Sequence, residues 1–316
     1  MWDNNLILPV IASPMFLVSG PKLVTACCES GIIGTFPALN QRTFQGLEDW
    51  LIEIKTELTN YAQTNGKTPA PFGVNLIVHK SNPRLEADLE ICIRHQVPLI
   101  ITSLGAVADL VQKVHSYGGL VFHDVTTIKH ARKAAEAGVD GLILVSAGAG
   151  GHAGTLNPFA FYHEVREFFD KKIILAGALS HGSDIAAARV LGADYVYMGT
   201  RFLATTESMA SAAYKDMVVN SEAADIIYTP AISSIPASFL KDSIIAAGMD
   251  PEKLVAPDKI DLTHVTLPHQ TEKSTSKAWK DIWSAGQGVG GIHDAPTVAE
   301  LVTRLKAEYT AALQRR

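Results

Sequence analysis

Cysteine is scarce, at three in 316 residues. Cys27 and Cys28 are adjacent and Cys92 is remote from both, so they suit neither a disulfide framework nor a zinc site. All three fall in apparent helices and are expected as buried, small apolar side chains in a reducing cytoplasm. Long apolar runs are absent too. None approaches the roughly 18–20 residues of a membrane span. The opening MWDNNLILPVIASPM has no basic leader and no apolar stretch long enough for export. A cytoplasmic protein without a membrane partner is the expectation. Blocks of like charge are missing, and a formal charge of −5 with a pI near 6.1 argues against nucleic acid as a partner.

The familiar catalytic signatures are also missing. There is no H-E-x-x-H, C-x-x-C, G-x-S-x-G or P-loop, and no pair of carboxylates on neighbouring strand ends. His79, His95, His115, His123, His130, His152, His163 and His181 lack the spacing with Cys or carboxylate that a metal site requires, so no metal is expected. The hard chemistry is left to an organic cofactor.

What is present is repetition. Eight apolar runs recur: LILPVIAS (6–13), GIIGTFPA (31–38), FGVNLI (72–77), PLIITS (98–103), GLVFHDV (119–125), GLILVSA (141–147), KIILAGA (172–178) and DYVYMGT (194–200). Each is apolar on both faces, as a parallel strand covered on both sides must be. Helical patterns lie between them. TTIKHARKAAEAGVD carries Ile128, Ala131, Ala135 and Val139 on one stripe, and GSDIAAARVLGAD carries Ile185, Ala188 and Leu191. Both end in Gly before the next strand. Eight such units close naturally into a (β/α)₈ TIM barrel. The competing open doubly wound sheet would carry a Gly-rich first turn, where this chain has ASPMFLVSGP.

The pattern changes after the eighth helix. We expect a barrel core over 1–225, a smaller lid or insertion over 226–282, and a segment over 283–316 whose final helix returns to the barrel. A further helical excursion follows the second strand, with Trp50, Ile54 and Leu58 as its apolar stripe.

Active sites of such barrels lie at the C-terminal ends of the strands. That rule selects Ser13, Pro14 and Met15 after strand one, and Asn75 in strand three. It selects Thr102 and Ser103 in strand four, His123 and Asp124 in strand five, and His152 in the loop SAGAGGHAG after strand six. Gly177-Ala178 and Gly199-Thr200 end strands seven and eight, where barrels of this kind commonly hold phosphate. Small residues there let backbone N–H groups reach an anion, and Thr200 adds a hydroxyl. Together they favour a phosphate-bearing ligand.

The stretches GAGGHAG, ILAGAL, GADYVYMGTRFLATTES and PVIASPM resemble the nitronate monooxygenase family, formerly called 2-nitropropane dioxygenases. The resemblance runs from about Leu6 to Met217, and weakly through WSAGQGVG. It implies an FMN-containing (β/α)₈ barrel with a lid, oxidising alkyl nitronates, and in some members nitroalkanes, with O₂ to a carbonyl compound and nitrite. Carried over, the phosphate contacts fall on Gly177, Ala178, Gly199 and Thr200, and the ring contacts on Ser13, Pro14, Met15 and Asn75. Gly151, Met198 and His123 join them as cofactor-binding candidates, and the catalytic histidine falls on His152. It would act as a general base on a neutral nitroalkane, or as a cationic anchor for a nitronate. The surrounding glycines would let the backbone approach the flavin ring. Lys241 could reach the mouth from the lid.

Three departures stand out. Gly177-Ala178 replaces a Gly-Gly pair, Gly148 stands where a polar or acidic residue is common, and His123-Asp124 stands where some relatives carry Lys. An FMN-dependent NAD(P)H:quinone or enoyl-thioester reductase of the same fold is the alternative, and a flavin-binding protein without turnover is the non-enzymatic one. Partners are a small-molecule substrate and O₂, with a homodimer left open.

Overall fold

The computed structural model describes residues 6–79, 81–105, 108–256 and 281–315. Positions 257–280 of the expected insertion lie outside the described residues. Eight parallel strands close a barrel. They are β1 (Val10–Ala12), β2 (Ile33–Pro37), β3 (Phe72–Ile77), β4 (Leu99–Ser103), β5 (Leu120–Val125), β6 (Gly141–Val145), β8 (Lys172–Ala176) and β9 (Tyr195–Met198). Ladder pairing runs around the ring and returns from β9 to β1, where Ile11 sits opposite Tyr197. All eight runs expected as strands are barrel strands.

Helices α1 (Pro21–Glu29), α2 (Phe44–Asn65), α3 (Leu85–Arg94), α4 (Ala108–His115), α5 (Ile128–Glu136), α6 (Pro158–Arg166) and α7 (Gly182–Leu191) fill the crossovers. The turn α8 (Thr200–Leu203) and helix α9 (Ala212–Val219) follow the last barrel strand. Local chemistry marks their starts. Thr127 caps α5, Asn157 caps α6, and His181 with Asp184 forms a capping box on α7. In the excursion after β2, the buried stripe of α2 is Leu47, Leu51, Ile54 and Leu58. Trp50 lies at its margin, edge-on to Phe36 with ring centroids 5.6 Å apart.

Strand pleating sorts the core into two shells. Ile11, Ile33, Leu99, Ile101, Phe122, Ile143, Ile174 and Tyr195 point inward and fill the barrel axis. Their neighbours, among them Val10, Val74, Ile100, Val121, Leu142 and Met198, point outward against the helices. The axis is therefore a packed core, and a ligand can enter only above it. Cys27, Cys28 and Cys92 are free and buried. Burial pushes the Cys28 thiol up to about 12, so it stays protonated and unreactive.

A second sheet stands apart from the barrel. Its order is β10 (Ile226–Thr229), β11 (Ala237–Leu240), β7 (Gly151–His152), all antiparallel. The stretch containing His152, expected as a plain loop, thus contributes a two-residue strand to this sheet, with His152 opposite Ala237. The short helix α10 (Lys241–Ala246) follows β11. The chain returns through residues 281–297 to α11 (Val298–Gln314), which buries Val298, Leu301, Val302 and Leu305. The Gly182 N–H of α7 donates to Glu308 at 2.8 Å, and buried Arg201 pairs with Asp294 at 3.2 Å. No helix among the described residues is long and apolar enough to cross a membrane.

Candidate active site at the barrel mouth

A cavity of about 850 Å³ opens at the C-terminal ends of the strands. Ser13, Pro14, Met15, Asn75, His123, Gly151, His152, Gly177, Ala178, Gly199 and Thr200 all line it. Ser103 and Asp124 line it too, but two candidates do not: Thr102 is buried against His123, and Met198 is turned away. Met198 is 1% exposed and belongs to the outward shell, so its side chain packs under the helices. The pleat presents Tyr197 to the cavity instead. The Met198 carbonyl still contributes by accepting from the Ser13 N–H at 3.0 Å, which fixes the start of the first loop. Asn40 holds the same loop by donating to the Met15 and Ser19 carbonyls.

The cradle after β8 and β9 has a third wall that the sequence rule did not identify. The Gly286 N–H donates to Thr200 Oγ1 at 3.0 Å, and Gly286 and Gly288 line the cavity beside Ala178. The weakly matching WSAGQGVG was the available signal. Ala178 has φ 54°, in the left-handed region where a Cβ is strained by roughly 1–2 kcal/mol. Its N–H donates to the Gly148 carbonyl at 3.3 Å. The substitution of Ala for Gly thus preserves the turn at some cost. A Cβ on Gly199 would lie 2.6 Å from Ser13 Oγ, so Ser13 would have to turn its hydroxyl away.

His152 is half-buried and held through its backbone. The Gly151 N–H donates to Ser284 Oγ at 2.6 Å, and the Ala153 carbonyl accepts from the Tyr228 hydroxyl at 2.9 Å. Ser284 Oγ donates in turn to the Ser238 carbonyl of β11. The glycines beside it serve protein contacts first. A Cβ on Gly150 would lie 2.8 Å from the Gly286 nitrogen, and one on Gly154 would meet the Thr126 and Val145 carbonyls. Close chain packing explains these glycines without a ligand.

His123 and Asp124 leave β5 in opposite directions. His123 follows the outward phase of Val121 and Val125 and shares a 2.7 Å hydrogen bond between its Nδ1 and Thr102 Oγ1. Burial, with help from the positive charges of His130 and Lys133, lowers its pKa to about 4, so it is neutral at pH 7. Asp124 follows the inward phase of Leu120 and Phe122. Its Oδ2 accepts from Ser103 Oγ at 2.6 Å, and Ser103 Oγ accepts from Asn75 Nδ2 at 2.8 Å. Burial lifts the Asp124 carboxyl to about 7. Lys133 and His130 of α5 complete the rim. Lys241 does not line the cavity: it opens α10 as an exposed side chain.

Comparison with known proteins sets this architecture in a family. The profile described as "Nitronate monooxygenase" matches residues 1–308. The chain is 27% identical to a (3aS,4S,5R,7aS)-5-hydroxy-7a-methyl-1-oxo-octahydro-1H-indene-4-carboxyl-CoA dehydrogenase of Rhodococcus jostii, over 95% of this chain and 92% of that one. It is 24% identical to a nitronate monooxygenase of Paraburkholderia phytofirmans, over 97% and 93%. The crystal structure of a nitroalkane oxidase from Streptomyces ansochromogenes superimposes with a TM-score of 0.80 at 25% identity, covering 98% of each chain. A barrel of this topology with a histidine loop at its mouth, matched by one profile over nearly its whole length, is an oxidoreductase: the chain belongs to the nitronate monooxygenase family.

Proposed function

We propose that this protein oxidises alkyl nitronates, and nitroalkanes after proton removal, with O₂ to a carbonyl compound and nitrite, using FMN. The observation that carries the reading is the convergence of His152 with the small-residue cradle of Gly177, Ala178, Gly199, Thr200 and Gly286 in one cavity. Two features support FMN. The cradle offers small residues and the Thr200 hydroxyl where a phosphate would sit. Asp124 is the one acidic side chain among the described lining residues, and it belongs to a different part of the wall, on β5. Ser13, Met15 and Asn75 would then border the ring, with Gly151 at its edge.

Bound FMN would supply the electron acceptor that no side chain provides. His152 would take the α-proton of a neutral nitroalkane as a general base. With a nitronate it would hold the nitro oxygens through a donated hydrogen bond. Lys133 at the rim forms no ion pair among the described residues and would attract an anionic substrate. The β10–β11 pair, within residues 226–240, would act as a lid that limits water entry. Buried free cysteines suit a reducing cytoplasm.

A second reading, reduction or oxidation of an acyl thioester, draws on the carboxyl-CoA dehydrogenase relative and on the same rim lysine. Anaerobic mixing separates the two. Bleaching of the flavin by propionate 3-nitronate, without NADH or NADPH, supports nitronate oxidation, whereas rapid bleaching by a nicotinamide alone overturns it. His152→Asn should retain FMN and lose about 10²-fold or more of turnover with neutral nitroalkanes. Unchanged kinetics would remove His152 from the mechanism.

A further inference from the structure

We propose that Asp124 is a positioning residue whose charge state sets how readily the bound flavin is reduced, acting through Ser103 on Asn75 and directly through its field. The inference rests on the reading that the cavity holds a flavin.

Three observations converge on Asp124. It stands on the inward phase of β5, in the cavity wall, above the packed axis formed by Phe122 and Tyr195. It ends a chain of hydrogen bonds: Asn75 Nδ2 donates to Ser103 Oγ, and Ser103 Oγ donates to Asp124 Oδ2. Finally, Asp124 Oδ1 is closed off from solvent with no hydrogen-bond partner, and so is the hydroxyl oxygen of Tyr197 on β9. An unpartnered buried carboxylate oxygen is expensive, and the neutral acid is much less so.

The chain also decides where a proton would reside. Ser103 has one hydroxyl hydrogen and spends it on Oδ2, having accepted one from Asn75. A proton on the carboxyl therefore sits on Oδ1. Burial raises the carboxyl pKa to about 7, with the Ser103 hydrogen bond opposing the rise. Asp124 is consequently balanced between acid and anion near neutrality.

The surrounding groups do not compensate a negative charge. Tyr197 is itself held protonated by burial and by the field of Asp124. The inward side chains of neighbouring β6 are Ile143 and Val145. His123 lies on the outward phase of β5, His130 and Lys133 line the same cavity from α5, and no ion pair reaches Asp124 among the described residues. His152 stands on the separate sheet. An anion at Asp124 would therefore repel the negative charge that a reduced ring carries, whereas the acid would not.

The test is the midpoint potential of the FMN holoenzyme, measured spectroelectrochemically from pH 5.5 to 9, beside Asp124→Asn and Ser103→Ala. All three share the titrations of the cofactor phosphate and of the histidines, so differences between them report Asp124. We expect Asp124→Asn to match wild type below about pH 6 and to lie at higher potential above about pH 7.5. Ser103→Ala should move the inflection to higher pH, because the lost hydrogen bond favoured the anion. Superimposable profiles for wild type and Asp124→Asn would overturn the proposal while leaving flavin binding intact. If Asp124→Asn does not fold, an unmoved inflection in Ser103→Ala overturns it equally. A wild-type protein that takes up no FMN would instead overturn the functional reading.

Discussion

Adjacent residues on β5 carry opposite proton habits, and the difference is read by stability. His123 has a folded pKa of about 4 against an ordinary 6.5, so between those values the unfolded chain binds more protons and stability rises with pH. Asp124 has a folded pKa of about 7 against an ordinary 3.8, so over that window the folded chain binds more protons and stability falls with pH. Each slope is about 1.4 kcal/mol per pH unit, and the two nearly cancel between pH 4 and 6.5. In the cofactor-free protein, Asp124→Asn should unmask the His123 slope. Its denaturant-derived stability relative to wild type should climb from pH 4 to 7 and level off above. A pH-independent difference would show that Asp124 is ionised throughout. None of this was legible in the sequence beyond the presence of both residues at a strand end. Which of the pair faces inward depends on pleat phase, and phase also decided that Tyr197, rather than Met198, meets the cavity.

At the scale of elements, the barrel was readable because each strand is a local apolar run with its own helix and Gly stop. Long-range features were not. The strand β7 has two residues and no periodicity, and its partner β11 comes after the whole barrel. Nor could composition reveal why SAGAGGHAG is rich in glycine, since the close neighbour of Gly150 is the distant Gly286. Gly150→Ala tests that contact. Its Cβ would press on backbone rather than on a movable side chain, so we expect a loss of about 1–3 kcal/mol, seen as a lower melting temperature. The Thr200–Gly286 hydrogen bond should be disturbed with it, which on the proposed function weakens FMN binding. An unchanged melting temperature would mean that the two loops are further apart than described.

For the whole molecule, the sign of the charge depends on where it is sampled. The chain carries a net −5, yet the cavity rim presents Lys133. An anionic substrate would be repelled by the body and drawn to one edge of the mouth, a balance that salt screens over about 10 Å at 0.1 M. Lys133→Glu should therefore raise KM for a nitronate severalfold and leave kcat within twofold. The KM difference from wild type should shrink as ionic strength rises. Equal KM values at low salt would discard the steering role.

The pairing of β7 with β11 also bears on what opening means for this molecule. His152 belongs to the same sheet as β10, whose Tyr228 also lines the cavity, so drawing β11 away would break the ladder that holds the histidine's backbone. If His152 acts as proposed, access and reactivity are coupled in opposite senses: water admitted by displacement of that sheet would find an imidazole no longer in place. On the proposed function, a two-residue clasp of this kind would act as an interlock, making opening and chemistry one mechanical event.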